Sequence, residues 1–373
     1  MLEGGYQVLE ELNNGLETKV FRALRKSDRK PVILKVLNED YPNPERIAGL
    51  QREYELLNSL NSGDGQGVGG VIAAYGFERF QQTYMIVLED IGGNSLRWYL
   101  ERAIQDQQTF VSQLEDGLIG FVQIALKIAS ILGQLHQHQV IHKDLTPSNI
   151  IYNPLSQQIR IIDFGIASKT DTSVPVISSP VQLMGTLAYI SPEQTGRVNR
   201  PIDYRTDFYS LGVTFYELLT GHNPFFSNDA LEIVYGHIAR QPIPPWELYP
   251  ALPKPLSSIV MKMLEKDVSQ RYQSARGLVE DLQDCLDMLG NCEPCITANT
   301  FVPGRHDLPK RFQISKKLYG RQQELTEIAS AFERVGSDSG MFRQGGPLEV
   351  ILVEGQPGIG KTSLVQEAYK SLI

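Results

Sequence analysis

Cysteine is scarce in this 373-residue chain: Cys285, Cys292 and Cys295 are odd in number and clustered. Such a set excludes a disulfide framework and the small secreted scaffolds that depend on one. An excess of positive charge is also missing. Lys and Arg total 35 against 43 Asp and Glu, a formal net charge of −8. This argues against a nucleic acid or an anionic membrane held by bulk charge, though not against a local cationic site for phosphate. The longest apolar stretch, 121–135, is interrupted by Lys127 and Gln134 and repeats with helical period, so it predicts a buried helix and no membrane span. The first residues, Met1-Leu2-Glu3-Gly4-Gly5-Tyr6, have neither the basic nor the apolar region of a secretion signal. The chain is expected to be cytoplasmic and long enough for two or more domains with sizeable cores.

Short β-rich runs dominate as far as about residue 89: Tyr6-Gln7-Val8-Leu9, Lys19 to Ala23, Pro31 to Val36 and Tyr84 to Leu88. One helix is predicted among them over 44–60, with Ile47, Leu50, Tyr54 and Leu57 on one face. The glycine-rich stretch 61–70 follows no strand and opens no helix, so it reads as a surface turn. Beyond residue 89 the pattern is helical. Helices are predicted over 120–137, over 210–219 with Gly221 as a left-handed C-terminal residue, over 255–266 and over 274–289. Periodicity is lost over 290–312, where Pro294, Pro303, Gly304 and Pro309 are scattered. A small β-rich lobe and a larger helical lobe follow, with a ligand cleft between them.

Two short runs carry the chemistry: His142-Lys143-Asp144-Leu145-Thr146-Pro147-Ser148-Asn149 and Asp163-Phe164-Gly165, their aspartates nineteen positions apart (163 − 144). Phosphoryl transfer needs little covalent help from protein; it needs positioning and neutralisation of charge. Asp144 is suited to accept a hydroxyl proton, and Asn149 and Asp163 to carry magnesium against nucleotide phosphates. His136, His138 and His142 form a small cluster without cysteine or paired acids. It is read as packing for His142 and solvent exposure for the other two.

With these runs in order, residues 6–285 resemble a bacterial Ser/Thr protein kinase domain of the eukaryotic-like type. The resemblance implies an α+β two-lobed protein kinase fold: a β-rich N-lobe over about 6–89 and a helical C-lobe over about 90–287. It further implies ATP and Mg2+ as cofactors, a protein Ser/Thr hydroxyl as acceptor and autophosphorylation. Lys35 would hold the α- and β-phosphates, with Glu53 fixing it by an ion pair; Glu55, two positions on, faces elsewhere. Gly15 and Val20 would cover the nucleotide, and the backbone at Glu89 would meet adenine, with Leu88 setting the pocket depth. Thr186, in Gly185-Thr186-Leu187-Ala188-Tyr189-Ile190-Ser191-Pro192-Glu193, would set a hydroxyl against Asp144. Glu193 would pair with Arg271, and Asp207 would hold the catalytic loop through backbone N–H groups.

The chain departs from the family pattern in four respects. Asn13, Gly15 and Thr18 stand where three glycines are usual, so the loop keeps one residue suited to close backbone approach. Ile33 replaces a small alanine above the adenine. Thr146 replaces a lysine that neutralises the transferring phosphate. Lys143 replaces an arginine and lacks its bidentate fork for a phosphorylated loop residue; Thr170, Thr172, Ser173, Ser178 and Ser179 are the candidate sites. Lys35, Asp144, Asn149 and Asp163 are all kept. The expected activity is ATP-dependent transfer to Ser/Thr; the alternative is a nucleotide-binding pseudokinase that regulates an attached ATPase.

That ATPase is suggested by Gly355-Gln356-Pro357-Gly358-Ile359-Gly360-Lys361-Thr362, which fits a P-loop after an expected strand over 348–353. Gly355 and Gly360 would shape the loop, Lys361 would reach phosphate and Thr362 would bind magnesium. With Leu318-Tyr319-Gly320-Arg321 upstream, the region resembles the opening of an AAA/STAND-type ATPase, as an incomplete α/β segment. The expected organisation is a kinase domain over 1–287, a linker over 288–312 and an N-terminal ATPase fragment over 313–373. The order resembles large multidomain bacterial signalling proteins, so the chain is expected to be part of a longer one. Cys292 and Cys295 lack a second cysteine pair and are read as incidental.

Overall fold

β-Branched and aromatic residues alternate through the first lobe, and they pair there as an antiparallel sheet. The computed structural model describes residues 5–39, 41–62, 67–80, 82–169, 187–198, 200–290, 301–307, 321–336, 350–354, 361 and 364. The chain divides into two units, Met1–Leu308 and Pro309–Ile373.

In the first unit, β1 (Tyr6–Asn14), β2 (Thr18–Arg25), β3 (Pro31–Leu37), β4 (Ala74–Phe80) and β5 (Thr83–Glu89) form a sheet of order β1-β2-β3-β5-β4. Four of these strands match the sequence expectation; β4 does not, because Gly76 and the charged Glu78 and Arg79 dilute its alternation. Val32, Leu34 and Val36 of β3 point to one face and pack with Ala23, Met85 and Val87; Ile33 and Lys35 point to the other. Helix α1 (Pro44–Asn61) crosses behind the sheet. Its N-cap is Asn43, whose side chain accepts the Arg46 N–H at 2.8 Å, and Pro44 sits where its missing N–H costs nothing.

The chain leaves β5 through residues 90–93 and enters the helical lobe at β6 (Asn94–Ser95) and α2 (Leu96–Gln105). Gly93 lies against β8 (Ile150–Asn153), so closely that a Cβ would overlap the Tyr152 carbonyl. Gly93→Ala is therefore expected to cost about 1–3 kcal/mol, because the obstruction is backbone and cannot rotate away. Chemical denaturation measures this; an unchanged midpoint would show that the crossing can move.

Helix α3 (Gly117–Gln137) has the length and composition to cross a membrane, but Phe121, Ile124, Ile128, Leu132 and Leu135 are buried in the lobe core. It leads through β7 (Val140–Ile141) into the catalytic run, then β8, β9 (Gln158–Ile161) and β10 (Ser168–Lys169). Helix α4 (Arg205–Thr220), buried along nearly its whole length, forms the lobe's axis and ends at Gly221 in the left-handed region, φ 74°. Around it lie α5 (Ala230–Ala239), α6 (Pro245–Leu248), α7 (Lys254–Met263) and α8 (Ala275–Gly290). Gly212 of α4 permits the close approach of α7, since a Cβ would lie 2.7 Å from Met263 Cβ.

The stretch expected as a linker is not one connector. Residues 301–307 belong to the first unit: Phe301 packs on the core, and Asp307 accepts from the Ser274 hydroxyl at 2.7 Å and from the Gln273 N–H at the start of α8. Asp281 accepts from the Gly304 N–H and from the Tyr272 hydroxyl. Such a segment is held by polar caps instead of an apolar stripe, and leaves no periodic trace in sequence. Cys292 and Cys295 lie outside the described residues; Cys285 is buried and free.

The second unit contains α9 (Gln322–Gly336), with Arg321 bonded to Glu324 at 2.7 Å. Residues 350–354 form no strand, contrary to expectation. A strand requires a ladder partner, and none pairs with this segment among the described residues. Lys361 lies in a helical position; Gly355, Gly360 and Thr362 lie outside the described residues.

Candidate active site

β3 carries Lys35 on the face opposite the sheet's apolar core, and α1 turns Glu53 toward it. The ammonium lies 2.8 Å from both Glu53 oxygens and 3.0 Å from Asp163 Oδ1. Lys35 is 9% exposed and Glu53 4%. Burial pulls the Lys35 ammonium down, but the two carboxylates outweigh it and hold its pKa above the ordinary value. Glu55 is exposed and accepts instead from Gln51 on its own helix.

Val20 stands directly across from Lys35 in the β2–β3 register. Gly15 turns the chain between β1 and β2: its N–H donates to the Thr18 carbonyl at 3.0 Å, and a Cβ would lie 3.1 Å from that oxygen. Asn38 Nδ2 donates to the Gly15 carbonyl at 2.7 Å, which fastens this turn to the end of β3.

The catalytic run is held from below by α4. Asp207, fully buried, accepts the His142 N–H at 3.0 Å and the Lys143 N–H at 2.7 Å. Thr214 Oγ1 donates to the Leu145 carbonyl at 2.7 Å, and Gln194 Nε2 to the Lys143 carbonyl at 2.9 Å. These bonds keep Lys143 in the left-handed region at φ 70°, a conformation costing on the order of 1–3 kcal/mol that only a constrained loop retains. His142 is buried, its ring set edge-on to Phe164 with the centroids 4.8 Å apart; Nε2 donates to the Ile162 carbonyl and Nδ1 accepts the Asp144 N–H. His136, expected to be exposed, is not. Its Nε2 donates to Asp207 Oδ2 at 2.9 Å, and its ring lies against Tyr204 and Phe208. Periodicity placed it near the end of a helix but could not show that an acid from α4 lay opposite. His138 is exposed.

Asp144 faces the cleft with one oxygen engaged and one open. Oδ2 accepts from Asn149 Nδ2 at 2.9 Å, while Oδ1 is buried without a partner among the described residues. That is the geometry of a group awaiting a donor, as an acceptor hydroxyl would supply. Burial pushes the Asp144 carboxyl up to about 6, with His142 opposing and the Asp163 charge reinforcing the shift. Because Asn149 spends Nδ2 on Asp144, its Oδ1 is the atom left for a cation. Asp163, at φ 64°, gives Oδ1 to Lys35 and the Gly165 N–H, leaving Oδ2. Burial alone would raise the Asp163 carboxyl; Lys35 outweighs it and holds it below the ordinary value, ionised and fit for a cation. Two protein oxygens suit magnesium, whose coordination is otherwise completed by water and substrate phosphates.

Thr146 is buried and meets Asp144 through its backbone, its N–H donating to the Asp144 carbonyl at 3.0 Å. It adds no charge. Glu89 ends β5 with its N–H given to the Ala73 carbonyl at 2.8 Å and its carboxylate gripped by Arg160 at 2.8 and 3.1 Å. Its N–H is thus committed within the protein, and the pairing with Arg160 of β9 was not visible in sequence. Thr186 and the five candidate phosphorylation sites lie outside the described residues.

A β-rich lobe bearing a buried lysine–glutamate pair, set over a helical lobe bearing two aspartates and an asparagine, defines a phosphotransferase cleft. The protein kinase domain model matches residues 6–282, and the chain belongs to that family. Among similar proteins, hybrid signal transduction histidine kinase G of Dictyostelium discoideum is 40% identical over 202 residues, 50% of this chain and 6% of that protein. Serine/threonine-protein kinase PknB of Mycolicibacterium smegmatis is 33% identical over 289 residues, 75% of this chain and 43% of that protein. Serine/threonine-protein kinase PrkC of Bacillus subtilis is 27% identical over 291 residues, 77% of this chain and 41% of that protein. This chain spans less than half the length of each of these relatives.

Proposed function

We propose that this chain transfers the γ-phosphate of ATP to Ser/Thr hydroxyls of proteins, itself included, with magnesium. The observation that carries this is the convergence of Lys35, Glu53 and Asp163 within 3.0 Å, facing an Asp144 oriented by Asn149. Lys35 holds the nucleotide phosphates, with its reach fixed by Glu53. Asp144 aims the acceptor hydroxyl and takes its proton on the open Oδ1. Asn149 Oδ1 and Asp163 Oδ2 hold magnesium, which offsets charge on the phosphates when bound. Thr146 leaves the transferring group without the usual cation, so a low turnover is consistent with this site. A pseudokinase normally lacks at least one of Lys35, Asp144, Asn149 and Asp163, which weighs against that alternative.

Wild-type transfer of labelled γ-phosphate to a generic Ser/Thr acceptor, alongside separate measurement of ADP binding, tests the reading. Binding without any transfer would move the assignment to the pseudokinase. The pH profile offers a second test. With a carboxyl near 6 required as carboxylate, kcat/KM is expected to fall about tenfold per unit as pH drops below about 6, and to level off above it. A profile flat down to pH 5 would show that proton acceptance by Asp144 does not limit the rate.

The sequence pattern of 355–362 alone, without the expected strand before it, suggests a P-loop ATPase opening with Lys361 as its phosphate-binding residue. The match to a hybrid histidine kinase, of which the 202 aligned residues make up 6%, supports a kinase domain placed within a longer signalling chain. A cytoplasmic location accords with this reading.

A further inference from the structure

We propose that Arg22 is a positioning residue for the nucleotide, bracing the roof of the cleft against the crossing between the lobes. The inference rests on reading that cleft as the nucleotide site. Strand alternation puts Arg22 on the face of β2 that also bears Val20, opposite Ile33 and Lys35 in register. From there Nε donates to Asp90 Oδ2 at 2.9 Å, Nη2 to the Gly93 carbonyl at 2.9 Å and Nη1 to Glu10 Oε2 at 3.1 Å.

These acceptors differ in weight. The Glu10 side chain is 58% exposed, so its bond is screened and adds little. The Asp90 side chain is 6% exposed, and its Oδ1 already accepts the Gly92 N–H at 2.8 Å, which orients Oδ2 before Arg22 arrives. The crossing is itself fixed to the helical lobe: Asn153 Nδ2 donates to the Ile91 carbonyl, Gly93 lies on the Tyr152 backbone, and Arg160 holds Glu89. Arg22 thus links the nucleotide-facing strands to a segment that cannot follow them if they drift.

A brace matters more here than under a loop with three glycines. The β1–β2 turn keeps only Gly15 of those positions, so fewer backbone N–H groups can close on the phosphates. The position of β2 over the base and ribose then depends on side-chain ties. A lysine cannot replace this one fully, because reaching Asp90 and Gly93 together takes a planar fork.

The test compares wild-type full chain with Arg22→Met and Arg22→Lys, using ADP binding with magnesium, the KM for ATP, kcat and the melting temperature. Losing the partly buried charged bond is expected to raise both the ADP Kd and the KM about tenfold in Arg22→Met, with kcat within about twofold; Arg22→Lys should fall between. Unchanged Kd and KM in a folded Arg22→Met overturn the proposal, as does a fall in kcat and melting temperature with KM unaltered. Should Arg22→Met fail to fold, Asp90→Asn keeps the side chain's shape but removes its charge. A several-fold rise in KM then supports the proposal, and an unchanged KM overturns it. Failure of the wild type to bind ADP removes the nucleotide reading and this inference with it; normal wild-type binding with an unmoved variant removes this inference alone.

Discussion

Asp144→Asn is expected to lower phosphoryl transfer by about 10²–10⁴ while leaving the ADP Kd within about twofold. The asymmetry comes from which groups Asp144 touches. Its bonds run to Asn149 and to the catalytic loop, not to Lys35 or Glu53, whose pairing fixes the opposite wall of the cleft. Asparagine has nearly the shape of aspartate and keeps an acceptor for Asn149 Nδ2. It presents an amide where Oδ1 now awaits a hydroxyl and cannot take a proton there. The fold should therefore persist, with a melting temperature close to wild type or slightly higher. Burial disfavours the charged carboxyl, and the neutral amide relieves that cost. Parallel measurement of label transfer and ADP binding separates the outcomes. Wild-type transfer by the variant would remove Asp144 from the mechanism. Loss of binding together with transfer would mean that the loop had collapsed, and a second, structural role would follow.

Much of this site was legible in sequence because its residues lie in short runs whose spacing is fixed by local backbone. The catalytic run and the Asp163-Phe164-Gly165 turn each span a few residues, and the preference for Glu53 over Glu55 needed only the angular step of a helix. Helix ends were readable where a chemical signal marked them, as with Gly221, and drifted by several residues at 205–220, where none did. What escaped were partnerships between elements far apart in the chain. His136 meets Asp207 across 71 positions, Arg160 meets Glu89 across 71, and Arg22 meets Asp90 across 68. Each is a polar side chain on an otherwise ordinary strand or helix, and only the folded topology selects its partner. Asp307 escaped for a related reason. It caps the start of α8 from a segment whose prolines and glycines read as a connector.

The most destabilising single change should be Arg271→Met, at about 3–5 kcal/mol, enough to lower the melting temperature by roughly 10 °C in a domain of this size. The Arg271 side chain is 0% exposed and that of its partner Glu193 is 2% exposed, with bonds of 2.6 and 2.9 Å between them. Methionine fills much of the volume, so lost packing is a minor part of the cost. The larger part is a buried carboxylate left without its counter-charge. Removing both partners, as Arg271→Met with Glu193→Met, should be less damaging than the two single changes summed, since no buried charge then remains. Recovery should still be incomplete. Arg271 also donates to the Glu265 carbonyl at 2.7 Å and to the Lys266 carbonyl at 3.3 Å, and its guanidinium lies 4.8 Å from the Tyr209 ring centre. Those acceptors stay unpaired in the double variant, at roughly 1–3 kcal/mol for each fully buried one. A double-mutant cycle by chemical denaturation reads the two parts separately. Strict additivity would mean that the backbone carbonyls, and not Glu193, are what the arginine chiefly stabilises. Because Glu193 lies one residue before Gln194, which holds the Lys143 carbonyl, the same variants should also loosen the catalytic loop. Activity is then expected to fall at temperatures below those at which the domain unfolds.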